Sequence, residues 1–169
     1  MFGSDRKVEM VTADSALPGR DQAIPVAARH FVLDSPLGPV QALNVHLHPP
    51  VSDSGSFVSG YFSTKSVREA EIESYWSELD DALPTIVAGD FNEGKGGKAI
   101  SFLRANGLES ALPEFAPSAD TWRWQTSVGE VSSTLDHVVY DPRLEPVDAR
   151  VLDLGRSDHL PVVVTFVRR

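Results

Sequence analysis

The sequence predicts a mixed α/β protein, an α+β fold or a layered α/β sandwich, in one domain spanning residues 1–169. Three observations point there. Short apolar segments bounded by Gly, Pro, Asp and Ser recur along the chain, as strands do. Two other segments carry apolar residues at helical spacing. The helical segments come early and the late strands follow one another. A chain of 169 residues is long enough to bury a real core.

The elements follow in order. Residues 26–35, "VAARHFVLDS", and 39–47, "PVQALNVHL", read as two strands joined by a tight turn at "PLG". Residues 49–65, rich in Pro, Ser and Gly, read as a loop that follows the His46 strand and shapes its surroundings. Residues 66–82 read as a helix: Ser66-x-x-Glu69 fits a capping box, and Ile72, Tyr75, Trp76, Leu79 and Leu83 share one face. "TIVAG" (85–89) is a strand buried on both faces. "KAISFLRANG" (98–107) is a short helix with Gly107 at its C-terminal cap. Strands are expected at 121–126, 135–141, 147–154 and 160–167. In the first of these, Trp122 and Trp124 are two apart on one face; they could stack on a base but read better as core packing.

Composition removes some functions. The absence of cysteine excludes disulfides, thiolate nucleophiles and Cys-based zinc sites, so a bound metal would use oxygen or imidazole ligands. A formal charge of −9 disfavours a general duplex-DNA binder, which needs a basic face. Lys95, Lys98, Arg104 and Arg123 could form a basic rim but read better as solvated surface charge. No apolar run is long enough to cross a bilayer and "MFGSDRKVEM" lacks the apolar core of a signal peptide, which favours a cytoplasmic protein.

The stretch "IVAGDFNEGKGGKAI" (86–100) spells G-x-x-x-x-G-K from Gly89 to Lys95, as a nucleotide-binding loop does. That loop needs a Ser or Thr hydroxyl after the Lys, and Gly96 stands there instead. Asp90 and Glu93 inside the loop would also repel a phosphate. A nucleotide cradle is therefore disfavoured, leaving a Gly-rich turn or a carboxylate site.

Polar residues at the ends of apolar strands favour the carboxylate site. Asp90 and Asn92, two apart in an extended segment, point the same way. His46 and His48 share a face at another strand end. Asp136 and His137 open "DHVVY", and Asp158 and His159 precede "LPVVV". Each alone reads as a surface, core or turn residue. Together they are the His, Asp and Asn inventory that acid–base hydrolysis requires.

"GDFN" after a buried strand, "LDHVVY", "SDHLPVVV", "NVHL" and "TWRW", in this order over residues about 25 to 169, resemble the endonuclease/exonuclease/phosphatase superfamily. That superfamily includes DNase I-like nucleases, apurinic endonucleases, sphingomyelinases and inositol-phosphate phosphatases. The resemblance implies a four-layer α/β/β/α sandwich of the DNase I-like type and divalent-metal-dependent phosphoester hydrolysis, with Mg²⁺ or Mn²⁺. By the same resemblance His159 contacts the scissile phosphate and Asp136 orients it. Asp158 is a metal-side carboxylate, and Asp90 orients or deprotonates the attacking water. Asn92 is a phosphate-binding amide, and His46 stabilises phosphate or protonates the leaving group. His48 and His137 receive no role.

The family pattern begins earlier than this chain, with a strand bearing an Asn and then a "Q-E" segment whose Glu binds the catalytic metal. Glu9 does not match that motif, so the domain is expected to lack its N-terminal strands and that Glu. The leading expectation is a metal-dependent phosphoester hydrolase; the alternative is a truncated or degenerate, non-catalytic binding module on the same scaffold. The substrate, whether small molecule, lipid head group or nucleic acid, stays open, as does the oligomeric state.

Overall fold

The computed structural model describes residues 8–12, 28–50 and 64–169, the first of these by backbone alone. The strands are β1 (Val8–Thr12), β2 (Arg29–Ser35), β3 (Gly38–His46), β4 (Thr85–Asp90), β5 (Glu109–Ser110), β6 (Trp122–Thr126), β7 (Gly129–Ser133), β8 (Asp136–Tyr140), β9 (Leu144–Val151) and β10 (Val162–Arg168). The helices are α1 (Lys65–Trp76), α2 (Lys98–Ala105) and the short α3 (Leu112–Phe115). No helix among the described residues is long and apolar enough to cross a membrane.

The strands form a five-stranded sheet, β2-β3-β4-β8-β5, a three-stranded sheet, β1-β10-β9, and a separate β6-β7 hairpin. The expected 26–35/39–47 pair is an antiparallel hairpin with Ser35 opposite Gly38. Side-chain alternation divides the core in two. Ile86 and Ala88 of β4 with Val138 and Tyr140 of β8 face Val162, Val164 and Phe166 of β10 across the inter-sheet seam. Val87 and Val139, on the opposite face, pack against Ile72 of α1 and Ile100 and Leu103 of α2. Three of the four expected layers, helix, sheet and sheet, thus lie among the described residues. Burying a side chain such as Ile72 completely stabilises the fold by roughly 1.5–3 kcal/mol.

Two expectations need correction. The helix expected over 66–82 ends at Trp76. The buried Gln41 amide takes the next segment away: its Nε2 donates to the Asp80 carbonyl at 2.7 Å and its Oε1 accepts the Asp80 N–H at 3.1 Å. The capping box does not form either, because Thr64 is the N-cap and Glu69 pairs with Lys98 at 2.5 Å. By contrast α2 ends as expected, with Gly107 N–H on the Arg104 carbonyl and Leu108 N–H on the Leu103 carbonyl, the Schellman pattern. The strand β7 and the short β1, β5 and α3 were not anticipated. Within the 49–65 loop, residues 51–63 lie outside the described residues.

Candidate active site

Strand register builds one edge of the site. The parallel pairing of β3 and β4 sets His46 opposite Asp90, and the antiparallel pairing of β4 and β8 sets Asp90 opposite Asp136. All three share the alternation of Ala42, Ala88 and Val138, so they stand on the face turned to the three-stranded sheet. The loop leading into β10 brings His159 from that other sheet. The site therefore lies at the end of the seam, with both sheets contributing.

His159 Nδ1 lies 2.9 Å from Asp136 Oδ2, and its Nε2 lies 3.7 Å from Asp90 Oδ2. His46 Nε2 approaches the same Asp90 oxygen at 3.6 Å from a more exposed position. Burial and then the Asp136 charge push the Asp90 carboxyl up to about 6, although His159, the Asn92 N–H and His46 oppose the shift. Burial alone would lower His159. The hydrogen bond and charge of Asp136, then the charges of Asp90 and Asp158, outweigh it and raise the imidazole to about 9. At neutral pH the arrangement is a carboxylate beside an imidazolium that a second carboxylate holds in place.

Ligand atoms of Asp90, Asp136 and His159 all lie within 4.8 Å of one another. His159 Nδ1 is engaged by Asp136, so the oxygen donors of this group are the two aspartates. The two carboxylates, opposed across strands and repelling each other, are what a hard cation would relieve. Their oxygens are hard donors of the kind a divalent cation accepts together with water and substrate oxygens. Asp158 is not in this group: its Oδ2 accepts the Trp122 indole N–H at 3.0 Å.

Asn92 closes the loop beside Asp90. Its backbone N–H donates to Asp90 Oδ1 at 2.7 Å, and its amide Nδ2 donates to the Leu47 carbonyl at 2.7 Å. Its φ of 51° is left-handed, a region that Asn tolerates better than most residues. Gly89 is required where β4 meets β3, since a Cβ there would lie 2.0 Å from the Val45 carbonyl oxygen. The phosphate-loop alternative fails for a spatial reason. The N-terminus of α2, where a nucleotide phosphate would sit, holds the buried Glu93 carboxylate, which accepts the Ile100 N–H at 2.9 Å.

Other sequence candidates separate. His137 points to the helix side, buried, with Nε2 2.8 Å from the Glu93 carbonyl and its ring edge-on to Phe91. Burial lowers its pKa, so it is a satisfied core histidine. His48 does not pair with His46; its backbone N–H bonds Glu71 and its carbonyl accepts from Arg68. Trp124, expected in the core, is 55% exposed on the hairpin. It lines a pocket of about 300 Å³ with Arg123, Arg156 and Asp158. Of the basic residues, Lys98 pairs with Glu69 and Arg123 with Asp153, while Lys95 and Arg104 line a pocket of about 490 Å³ beside Glu109.

Residue-by-residue reading missed Thr121, Trp122, Arg68 and Glu93 as parts of the site's framework. Thr121 Oγ1 accepts the backbone N–H groups of both Leu135 and Asp136, at 2.9 and 2.8 Å, and so fixes the start of β8. The Thr-Trp pair in "TWRW" was the available signal. Nothing in sequence linked Arg68 to Glu93, 25 positions apart.

Two packed sheets, a helical layer on the larger one and an Asp–His pair at the seam define a DNase I-like fold. Residues 31–159 match the Endonuclease/Exonuclease/phosphatase family, and the chain belongs to that family. The human Nocturnin catalytic domain with bound sulfate anion is similar, with a TM-score of 0.65 and 20% identity over 98% of this chain; the chain spans 62% of that domain. An endonuclease/exonuclease/phosphatase from Beutenbergia cavernae has a TM-score of 0.63 and 21% identity, covering 82% of this chain and 38% of that one. D. rerio TDP2, complexed with a single strand DNA product, has a TM-score of 0.62 and 14% identity, covering 95% of this chain and 68% of that one. At these identities the likeness concerns the fold. A peptide methionine sulfoxide reductase MsrA from Rippkaea orientalis is 49% identical over 39 residues only, 23% of this chain and 18% of that protein.

Proposed function

We propose that this chain, read as one domain, is a divalent-metal-dependent phosphoester hydrolase. The observation that carries the proposal is Asp90 and Asp136 flanking His159 at the seam of a fold belonging to this family. Asp90, ionised above about pH 6, orients the attacking water and takes its proton. His159, held as imidazolium by Asp136, directs Nε2–H at a phosphoryl oxygen and offsets charge as the transition state forms. The second amide N–H of Asn92 donates to another phosphoryl oxygen. His46, on the open side of Asp90, protonates the leaving oxygen. Asp90 and Asp136 would hold the cation, which when bound polarises the phosphate oxygens. Asp158 acts through its charge on His159 and its bond to Trp122 rather than as the ligand expected of it.

The test is hydrolysis of bis-p-nitrophenyl phosphate and of plasmid DNA with Mg²⁺ or Mn²⁺. Turnover is expected with either metal, lost with EDTA and reduced at least about 10²-fold in His159→Ala. No metal-dependent turnover would leave a binding module on the same scaffold. The choice among nucleic acid, lipid head group and small-molecule phosphoester rests on which substrate gives the highest kcat/KM.

A further inference from the structure

The side chains of Arg68 and Glu93 are completely buried, and Arg68 Nε meets Glu93 Oε2 at 3.3 Å. Removing a guanidinium and a carboxylate from water carries a penalty that their mutual attraction does not reliably recover, so stability alone is a weak reason for the pair. Its connections suggest a better one. Arg68 Nη1 donates to the His48 carbonyl at 3.2 Å and to Thr64 Oγ1 at 2.7 Å. The Glu93 carboxylate accepts the Ile100 N–H, and its backbone carbonyl faces His137 Nε2. His48 lies two residues beyond His46, and Glu93 directly follows Asn92. One guanidinium therefore joins the two loops that leave β3 and β4 beside the candidate site.

The loops are tied again nearer the site. Leu47 N–H donates to the Asp90 carbonyl at 2.9 Å, and Asn92 Nδ2 donates to the Leu47 carbonyl. Arg68 is thus the outer member of a stack of cross-loop bonds whose inner members hold Asp90 and Asn92. A planar fork reaches a carboxylate, a carbonyl and a hydroxyl with donors held in fixed, spread directions, whereas a lysine ammonium is a compact, strongly hydrated point charge without that spread.

We propose that Arg68 and Glu93 are positioning residues: a buried clamp that sets the spacing of His46, Asp90 and Asn92. The proposal rests on the hydrolase reading for its kinetic consequence but not for its structural one.

The clamp is tested in the full chain with Arg68→Lys and with Arg68→Met/Glu93→Gln, which removes both charges together. The double variant is expected to fold, with an unchanged far-UV circular dichroism spectrum. Its kcat on bis-p-nitrophenyl phosphate should fall about 30-fold with KM changed less than about threefold, since small misplacement of catalytic groups acts on the chemical step. Arg68→Lys should lose about three- to tenfold in kcat. Amide hydrogen exchange, which needs no activity, should show lost protection at Leu47 and Asn92 while Val87 and Val139 stay protected. Wild-type kcat and wild-type protection at Leu47 and Asn92 in a folded variant would overturn the clamp. If the double variant does not fold, Arg68→Lys decides by the same two measurements. If the wild-type chain shows no turnover, selective loss of protection upholds the clamp and the hydrolase reading falls alone.

Discussion

His159 and Asp136 make the closest contact between ionisable side chains of the site, Nδ1 to Oδ2 at 2.9 Å, although one enters from the three-stranded sheet's leading loop and the other opens a strand of the five-stranded sheet. A carboxylate in this position fixes the ring and keeps its proton on Nδ1.

Asp136→Asn should release that proton. In the metal-free protein the His159 ring should titrate near pH 9 by NMR, and well below that in Asp136→Asn. The alkaline limb of kcat/KM should move down in parallel, with activity at pH 8 reduced about 10²-fold. An unmoved His159 titration would remove Asp136 as the cause of the shift.

Stability of the metal-free protein should fall as pH rises. Asp90 goes from 3.8 to about 6 on folding, and His159 from 6.5 to about 9. Both bind their protons more tightly in the native state, so both contributions are complete at low pH. The Asp90 contribution is lost from pH 3.8 through about 6, and the His159 contribution from pH 6.5 through about 9. Urea unfolding from pH 5 to 9 should show this decline, flattened in Asp90→Asn/His159→Gln. Added Mg²⁺ should raise Tm more at pH 8 than at pH 5, because the ionised Asp90 binds it better.

Gly97 and Gly96 should respond very differently to alanine. A Cβ at Gly97 would lie 2.0 Å from the Glu93 carboxyl carbon, whereas one at Gly96 meets nothing within 4 Å. Gly97→Ala should displace the carboxylate from the α2 N-terminus and destabilise the protein by about 2–4 kcal/mol, from overpacking and the lost cap. Gly96→Ala should lie within about 0.5 kcal/mol of wild type. Equal midpoints for the two variants in denaturant would contradict the Glu93 cap.

Thr121→Val should be costly where Thr121→Ser is not. Valine keeps the shape but removes the oxygen that accepts the Leu135 and Asp136 N–H groups. A loss of about 1–3 kcal/mol is expected from the unpartnered buried donors. The His159 titration should also shift, since the start of β8 carries Asp136. Full activity and stability in Thr121→Val would show that Thr121 does not hold that strand end.

Much of the fold was legible wherever a residue's neighbours in sequence set its environment. "TIVAGD" and "DHVVY" are buried throughout because both sheet faces are covered, their centres are apolar, and each appears as the expected strand. The Gly107 cap of α2 was readable for the same local reason. The end of α1 was not, because Gln41 from the β2–β3 hairpin captures the Asp80 backbone. Trp124 looked like core because alternation places it with Trp122, but the β6-β7 hairpin lies outside both larger sheets and leaves Trp124 exposed.

The candidate site divides in the same way. The sequence alone determined which groups stand at strand ends, His46, Asp90, Asn92, Asp136 and His159, since chain order and the period of two suffice for that. Tertiary structure decided which of them meet: β3-β4-β8 register aligns three, and inter-sheet packing brings His159 between the two aspartates. It also turned Asp158 to Trp122, His137 into the core and Glu93 onto a helix end beside Arg68. Those outcomes depend on distances between segments far apart in the chain, and such distances are set only when the two sheets and their helices pack.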